Sequence, residues 1–401
     1  MEKKKDSSSP LTDKAIFELL SRFKEIQLED VDLEIKELEL WIQPMARALA
    51  PPRRALPPTK PAKPTEILKT EFAPPIRQYS GGVCEVRLGA KKAEGGSRGT
   101  SLVIGGEKAP PLHRFEGTMP HEPLVALDVF DMPIPLAAPV KAHFKDVLQD
   151  PVAWAKLCVD KFGADMITIH LISTDPSIKN TPAKEAAKLV ENILQAVDVP
   201  IVIGGSGAPE KDAEILEKTA EVAAGERVML NSANLDMDFK RVAQAAKKYG
   251  QVVLSWTQLD INNQKKLNRE LLDILPREQI VIDPTTAALG YGLEYTFSIM
   301  ERIRLAALLG DQDLQMPLAS GTTNSWAARE AWMKTPEWGP RELRGPLWET
   351  ITSLILFMAG CDFFMMMHPA AVKTLKDTLR ALSGGGKAPP DEIAKWVTMK
   401  V

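Results

Sequence analysis

The sequence contains little cysteine, and its few cysteines are widely spaced. Its 401 residues include three, Cys84, Cys158 and Cys361. They form no C-x-x-C pair, and no histidines accompany them at a ligand spacing, so the usual zinc and iron–sulfur motifs are excluded within this chain. Sparse cysteine of this kind is typical of the reducing cytoplasm. We therefore predict a cytoplasmic protein with no metal site and no iron–sulfur cluster of its own.

The chain also lacks an excess of charge of either sign and a long apolar run. Fifty Lys and Arg against 53 Asp and Glu leave a formal net charge of -3, and the basic residues are scattered. Neither nucleic acid nor an anionic membrane surface is therefore expected as a partner. The most apolar stretch, residues 351–367, is interrupted by Ser353, Gly360 and Asp362, which excludes a membrane span. The N-terminus has no apolar signal-peptide core, so we expect no secretion.

Proline, by contrast, is concentrated in one segment. Nine prolines fall between Pro44 and Pro75, without a sustained apolar period, and predict an extended linker over residues 46–78. Residues 1–45 before it combine a helical apolar period with alternating runs, so we expect a small helix and strand module that docks on another chain. Two strand-like runs separated by glycines then predict a β-hairpin lead-in over residues 79–123.

From residue 124 onward, short apolar or β-branched runs alternate with helical patterns. The eight runs are 124–130, 166–172, 201–203, 228–230, 251–256, 280–282, 316–319 and 363–367. Near-continuous apolar strands between amphipathic helices indicate a parallel sheet covered by helices, and eight repeats match a closed barrel in size. We predict an α/β fold, a (β/α)8 TIM barrel over residues 124–384, followed by a tail over 385–401. A doubly wound open sheet is the alternative.

In such a barrel the chemistry lies at the C-terminal ends of the strands, here called the barrel mouth. Asn231 and Asp283 follow the fourth and sixth runs. The Asn231 amide can donate and accept hydrogen bonds at once, which suits the edge of a heterocycle, and the Asp283 carboxylate can accept from a donor-rich ring. Both residues are equally compatible with a structural role, in which they satisfy or cap the loops that follow them.

Several further residues are candidates on the same predicted face. They are Gly204, Gly205, Ser206, Gly207, Thr285, Thr286 and His368. The glycine-rich turn has N–H groups that could hold a phosphate, but without a G-x-G-x-x-G pattern or a P-loop lysine a steric turn is favoured. His170 and His368 are acid–base or ligand candidates, yet a structural role is favoured for each because no acidic partner stands at a fixed spacing.

Tryptophan is clustered in the seventh connection. Trp326, Trp332, Trp338 and Trp348 lie in or beside a long, proline-broken loop, which is more aromatic surface than the shell of a barrel needs. They predict either an aromatic contact surface for a large ligand or partner, or a loop that packs on itself. The sequence leaves both alternatives open.

Longer motifs resemble a known family. The run DPTTAALGYGLEY at 283–295, the run SIMERIRLA at 298–306, DPVAWAK at 150–156 and PEWG at 336–339 are similar to the small subunit of corrinoid iron–sulfur proteins. The archaeal members of that family are delta subunits of acetyl-CoA decarbonylase/synthase. The resemblance runs from about residue 80 to 383. The N-terminal module and linker that precede this region resemble those of the archaeal members.

This resemblance implies a barrel subunit paired with a larger gamma subunit, which carries a [4Fe–4S] cluster and the corrinoid. The heterodimer of that family moves a methyl group between a methyl-tetrahydropterin, of the tetrahydrosarcinapterin type, and the nickel centre of acetyl-CoA synthase. Acetyl-CoA synthase (beta) and CO dehydrogenase (alpha and epsilon) subunits complete the implied complex. This chain has no D-x-H-x-x-G corrinoid motif, so the resemblance implies a barrel mouth that caps the partner's corrinoid.

The barrel also resembles pterin-binding methyltransferases, in which an Asn and an Asp at strand ends bind the pterin ring. Asn231 and Asp283 occupy comparable places. Two functions follow: a scaffold that caps the corrinoid, or a pterin-dependent methyltransferase barrel that acts on the partner's cobalt. A stand-alone lyase or aldolase would need a lysine at a strand end, and none of the eight runs ends in one.

Overall fold

The computed structural model describes residues 75–383 of the chain. The predicted module at 1–45, most of the predicted linker at 46–78 and the tail at 385–401 lie outside the described residues. The strands are β1 (Glu85–Leu88), β2 (Leu102–Gly105), β3 (Leu124–Phe130), β4 (Met166–His170), β5 (Ile201–Gly204), β6 (Met229–Ala233), β7 (Val252–Trp256), β8 (Ile280–Asp283), β9 (Leu318–Ser320) and β10 (Cys361–Met366).

Helices separate the strands and cover the sheet. They are α1 (Ala138–Phe144), α2 (Pro151–Asp160), α3 (Ala183–Ala196), α4 (Pro209–Val222), α5 (Phe239–Tyr249), α6 (Ile261–Leu272), α7 (Leu293–Leu308), α8 (Arg329–Trp332), α9 (Arg341–Ala359) and α10 (Pro369–Ser383). Within residues 75–383, none of the helices combines the length and apolarity that crossing a membrane requires.

Strands β3 to β10 form a closed parallel barrel. Each pairs with the next along the chain, and β10 returns to pair with β3, where Phe364 lies opposite Val125. The strands are almost wholly buried, as expected for a parallel sheet with side chains filling its interior and helices covering its outside. The predicted (β/α)8 barrel is confirmed, and the open-sheet alternative is wrong.

Several strands extend further into polar residues than the apolar runs predict. Asn231 lies within β6 opposite Gly204, and Asp283 is the last residue of β8 opposite Trp256. Strand β4, in contrast, ends at His170 instead of continuing into the apolar residues beyond it. The backbone ladder depends on hydrogen bonds between strands and not on side-chain polarity, so periodicity alone misplaces these ends.

The N-terminal end of the barrel is closed by the antiparallel pair β1 and β2. Val86 and Ile104 are register partners, and both are buried against interior residues of the barrel such as Met166. The backbone N–H of Gly89 donates to the carbonyl of Arg227, just before β6. The pair therefore covers the end of the barrel opposite the mouth.

A buried ion cluster fixes this closure. Arg304 of α7 is 2% exposed and donates to Glu107, which follows β2, at 2.7 Å and to Asp362 of β10 at 2.5 Å. Asp362 also accepts a hydrogen bond from the backbone N–H of Leu318. One guanidinium thus contacts two buried carboxylates from the hairpin segment and the barrel, and burial raises the pKa of Asp362 well above its usual range.

We predict that Arg304→Met destabilises the protein strongly, because it leaves Glu107 and Asp362 buried without a counter-charge. Loss of one partner of a buried pair typically costs about 3–5 kcal/mol. Urea unfolding at neutral pH measures the effect. Arg302→Met, on the exposed side of the same helix, is the matched control, and equal losses in the two variants would contradict the role assigned to the cluster.

Candidate functional site

A cavity of about 490 Å³ opens at the barrel mouth. Its walls come from the C-terminal ends of the strands and the loops that follow them. Its ionisable lining side chains, in the described part of the chain, are one histidine and four carboxylates and include no lysine or arginine: His170, Asp128, Asp212, Asp236 and Asp283. The cavity is therefore suited to a ligand that offers hydrogen-bond donors, and it repels anions.

Asp283 lies on the cavity wall and is 5% exposed. Its Oδ1 accepts a hydrogen bond from the backbone N–H of Thr285 at 2.9 Å, and no cation contacts it among the described residues. Burial raises the pKa of this carboxyl to about 7, and the Thr285 N–H opposes that shift only in part. Near neutral pH, Asp283 can therefore either donate or accept a proton.

Asn231 lines the same cavity, on β6. Its backbone carbonyl accepts from the N–H of Gly205 at 3.0 Å, and its side-chain N–H2 makes only a weak contact of 3.7 Å with the sulfur of Met365. The side-chain oxygen accepts no hydrogen bond from a described residue. The Asn231 amide is thus available to a ligand in the cavity.

The glycine-rich turn also lines the cavity, but its N–H groups have a partner. The backbone N–H groups of Ser206 and Gly207 both donate to the carboxylate of Asp212 at 2.8 Å. A Cβ added at Gly205 would lie 2.4 Å from the carboxyl carbon of Asp212. The turn is wrapped around its own carboxylate, so its geometry favours the steric explanation over a phosphate site.

Gly204 has a different role in the same wall. A Cβ added there would lie 3.3 Å from Nδ1 of His170 and 3.6 Å from Nδ2 of Asn231. The imidazole and the amide thus lie close on either side of Gly204, and a larger residue there would press on the imidazole.

Three of the predicted residues do not line the cavity. The Thr285 hydroxyl donates to the carbonyl of Thr257 at 2.7 Å, and the Thr286 hydroxyl pairs with that of Ser320 at 2.8 Å. Both threonines thus stabilise loops around the mouth. His368 is the third.

His368 is a core histidine. It is 3% exposed, it stacks on Trp326 with ring centroids 5.8 Å apart, and its Nδ1 accepts from the backbone N–H of Ala370. Burial, with a smaller contribution from His143, lowers its pKa to about 3, so the ring is neutral. The structural role that the sequence favours for this residue agrees with its position.

Two of the four tryptophans pack within the protein, and two are exposed. Trp326 packs in the core, and Nε1 of Trp348 donates to the carbonyl of Leu289 at 3.1 Å. Trp332 and Trp338 are 41% and 44% exposed. One pair therefore holds the loop together, and the other is presented to solvent.

His170, for which the sequence offers no acidic partner, has one in the fold. Its Nε2 lies 3.3 Å from Oδ1 of Asp128, and its ring stacks on Phe130 with centroids 4.9 Å apart. The Thr323 hydroxyl donates to the other oxygen of Asp128. One feature of the sequence could have indicated this pair. Asp128 is the single aspartate inside the apolar run 124–130, and a buried strand does not need a charged side chain there.

Comparison with known proteins gives the family. The chain matches the family described as CO dehydrogenase/acetyl-CoA synthase delta subunit over residues 85–335. It is 57% identical over 350 residues to the acetyl-CoA decarbonylase/synthase complex subunit delta of Archaeoglobus fulgidus, covering 84% of this chain and 76% of that protein. The subunit delta of Methanocaldococcus jannaschii is 52% identical, with 79% and 78% covered. This chain belongs to the delta-subunit family.

Among solved structures, the delta-subunit chain is similar to dihydropteroate synthases. The enzyme of Stenotrophomonas maltophilia with active site-bound imidazole gives a TM-score of 0.46 at 15% identity, covering 70% of this chain and 100% of that one. The Xanthomonas albilineans enzyme with 4-aminobenzoic acid also gives 0.46, at 16% identity, with 67% and 94% covered.

The cysteines of this delta-family chain are buried thiols. Cys158 and Cys361 are buried, and burial raises the pKa of the half-buried Cys84 to about 12. Thiols held in the protonated form are poor metal ligands and poor nucleophiles. Within residues 75–383, no group of three or more His, Cys, Asp or Glu side chains is arranged to hold a metal ion.

We predict that Asp283→Asn changes the pH dependence of stability. The folded-state pKa of Asp283 lies above its unfolded value, so as pH rises from about 4 to about 7 the unfolded chain releases a proton that the folded chain retains. Over that window the free energy of unfolding of the wild type therefore falls by about 1.4 kcal/mol per pH unit, which amounts to a few kcal/mol. The variant keeps the acceptor for Thr285 and lacks this loss.

Denaturant unfolding at pH 5 and pH 8 measures this change in the pH dependence of stability. Asp283→Asn should gain stability relative to wild type between the two pH values. Asp273→Asn, which removes an exposed carboxylate on α6's C-terminal side, controls for the change in net charge. A constant difference between wild type and Asp283→Asn would show that Asp283 is ionised in the folded protein.

Proposed function

We propose that this chain is the small subunit of a heterodimeric corrinoid iron–sulfur protein within an acetyl-CoA decarbonylase/synthase complex. Its partner in this proposal is the gamma subunit, which holds the corrinoid and the [4Fe–4S] cluster, and the heterodimer carries a methyl group between a methyl-tetrahydropterin and acetyl-CoA synthase. Support comes from family membership, since the A. fulgidus and M. jannaschii relatives are named as subunits of that complex.

The observation that carries the proposal is the mouth itself. It is a cavity of about 490 Å³ whose floor carries hydrogen-bonding groups, and such a volume suits one small heterocycle. A corrinoid is far larger, so in this proposal it stays on the partner and faces the mouth, which caps it. The corrinoid supplies the methyl-accepting nucleophile, while this chain excludes water from the reacting face.

A second function, pterin-dependent methyl transfer by the barrel, is favoured by Asn231 and Asp283. The edge of a pterin ring presents an amino group, a ring N–H and a carbonyl. The free Asn231 oxygen can accept from such donors, and Asp283, with a pKa of about 7, can match either a donor or an acceptor. In that case these residues bind and orient the ring.

Reconstitution with the gamma subunit tests the division of labour. We expect a stable heterodimer in which cobalt and iron, assayed after the chains are separated, both remain with the partner. Corrinoid retained by this chain alone would contradict the capping proposal.

The second function predicts that Asn231→Ala and Asp283→Asn slow methyl transfer from the methyl-tetrahydropterin to the partner's cobalt. Each variant removes or weakens a buried hydrogen bond worth about 1–3 kcal/mol, so a loss of roughly 5- to 100-fold is expected. Single-turnover absorbance of the corrinoid measures the rate.

Asn262→Ala on the exposed face of α6 is the control and should leave the rate unchanged. Gel filtration must show that each variant still forms the heterodimer. Wild-type rates in both mouth variants would eliminate the methyltransferase function and leave the capping function.

A further inference from the structure

We infer that His170, held by Asp128, exchanges a proton with a ring nitrogen of the heterocycle bound in the mouth. This inference rests on the second proposed function, in which a tetrahydropterin enters the cavity. It makes Nδ1 of His170 the atom that exchanges the proton, although the sequence alone favours a structural role for this histidine.

The imidazole of His170 is held in place by its neighbours. His170 is the last residue of β4, and its ring lies almost parallel to that of Phe130, with an interplanar angle of 18°. Its Nε2 faces Oδ1 of Asp128 at 3.3 Å. The strand end, the stacked ring and the carboxylate together leave the imidazole little freedom to rotate.

The surroundings of Asp128 indicate which nitrogen of the neutral His170 ring carries the proton. Asp128 is 1% exposed; one of its oxygens accepts from Thr323, and the other has no well-directed hydrogen bond. Nε2 of His170 is likewise buried without another partner. A buried carboxylate oxygen without a donor is costly, so the proton on Nε2, pointing at Asp128, is the favoured tautomer.

In this tautomer Nδ1 carries the free lone pair of the imidazole, and no described residue hydrogen-bonds to it. Nδ1 and the Asn231 amide both lie beside Gly204, 3.3 Å and 3.6 Å from the place that a Cβ would take there. That space is too tight for a ring, but a ring lying over Gly204 in the cavity would meet Nδ1 and the amide together.

In the described part of the chain, the charged groups that line the cavity with His170 are all carboxylates. Asp128 on β3 faces the imidazole directly, and Asp212, Asp236 and Asp283 line the same cavity from other elements.

The chemistry requires one proton, which Nδ1 first takes up from solvent, and no further reactant. The N–H bond at Nδ1 breaks and its electron pair stays on the imidazole, while the lone pair of the pterin ring nitrogen forms the new N–H bond. Protonation makes that nitrogen a better leaving group for the methyl group that the partner's nucleophile accepts. In the reverse direction Nδ1 takes the proton back.

Proton counting on ligand binding tests the inference. N5-methyl-tetrahydrosarcinapterin is titrated into the heterodimer by calorimetry, at one pH near neutrality, in two buffers of different ionisation enthalpy. For wild type we expect uptake of a proton from the buffer on binding, because Nδ1 starts without the proton that the imidazole and the ring nitrogen then share. For His170→Gln we expect binding within about threefold of wild type but no exchange, and for Asp128→Asn a reduced exchange.

His143→Gln, which alters a histidine outside the cavity lining, is the matched control and should exchange protons as wild type does. Thermal unfolding checks each variant, and His170→Asn replaces His170→Gln if the latter is unfolded. A second measurement is the pH profile of single-turnover transfer, in which both His170 variants should lose about 100-fold at neutral pH.

The calorimetry distinguishes a wrong assignment of His170 from the absence of a pterin site. If wild type binds the pterin and His170→Gln exchanges the same number of protons, the assignment of His170 is overturned and the pterin site stands. If wild type binds no pterin, both the pterin site and this assignment are overturned.

Discussion

The pairing of β10 with β3 closes the barrel, and the position of every mouth residue depends on that closure. In a closed parallel barrel the strand register fixes which strand ends are neighbours. It sets Phe130 beside His170 across β3 and β4, and Gly204 beside Asn231 across β5 and β6. An open sheet would leave the first and last strands apart, and the cavity between them would not exist.

The two ends of the barrel treat buried carboxylates in opposite ways. At the closed end, Glu107 and Asp362 share the guanidinium of Arg304, so a cation contacts both. At the mouth, Asp128 and Asp283 are equally buried, and no lysine or arginine lines the cavity in the described part of the chain. Burial without a cation costs stability, so the carboxylates of the mouth are better candidates for a functional role than those of the closed end.

The apolar runs were enough to predict the barrel, because each buried strand leaves its own signature in the sequence. They were not enough for the site. The contact between His170 and Asp128 joins two strands, and no local spacing encodes it. Thr286 and His368 follow strands yet turn away from the mouth, since loop direction depends on tertiary packing. The capture of the glycine-rich turn by Asp212, six residues beyond Ser206, was a local signal that could have been used.

The charge of the mouth also limits what can enter it. Among residues 75–383, four carboxylates and no lysine or arginine line the cavity, so a phosphate or carboxylate group would be repelled, whereas a neutral, donor-rich ring would find acceptors on several sides. Any anionic tail of such a ligand must therefore remain outside, toward solvent or a partner. The ring nitrogens would then lie deepest, over Gly204, which has Nδ1 of His170 and the Asn231 amide beside it. The same electrostatic field that excludes anions thus orients the ligand ring first.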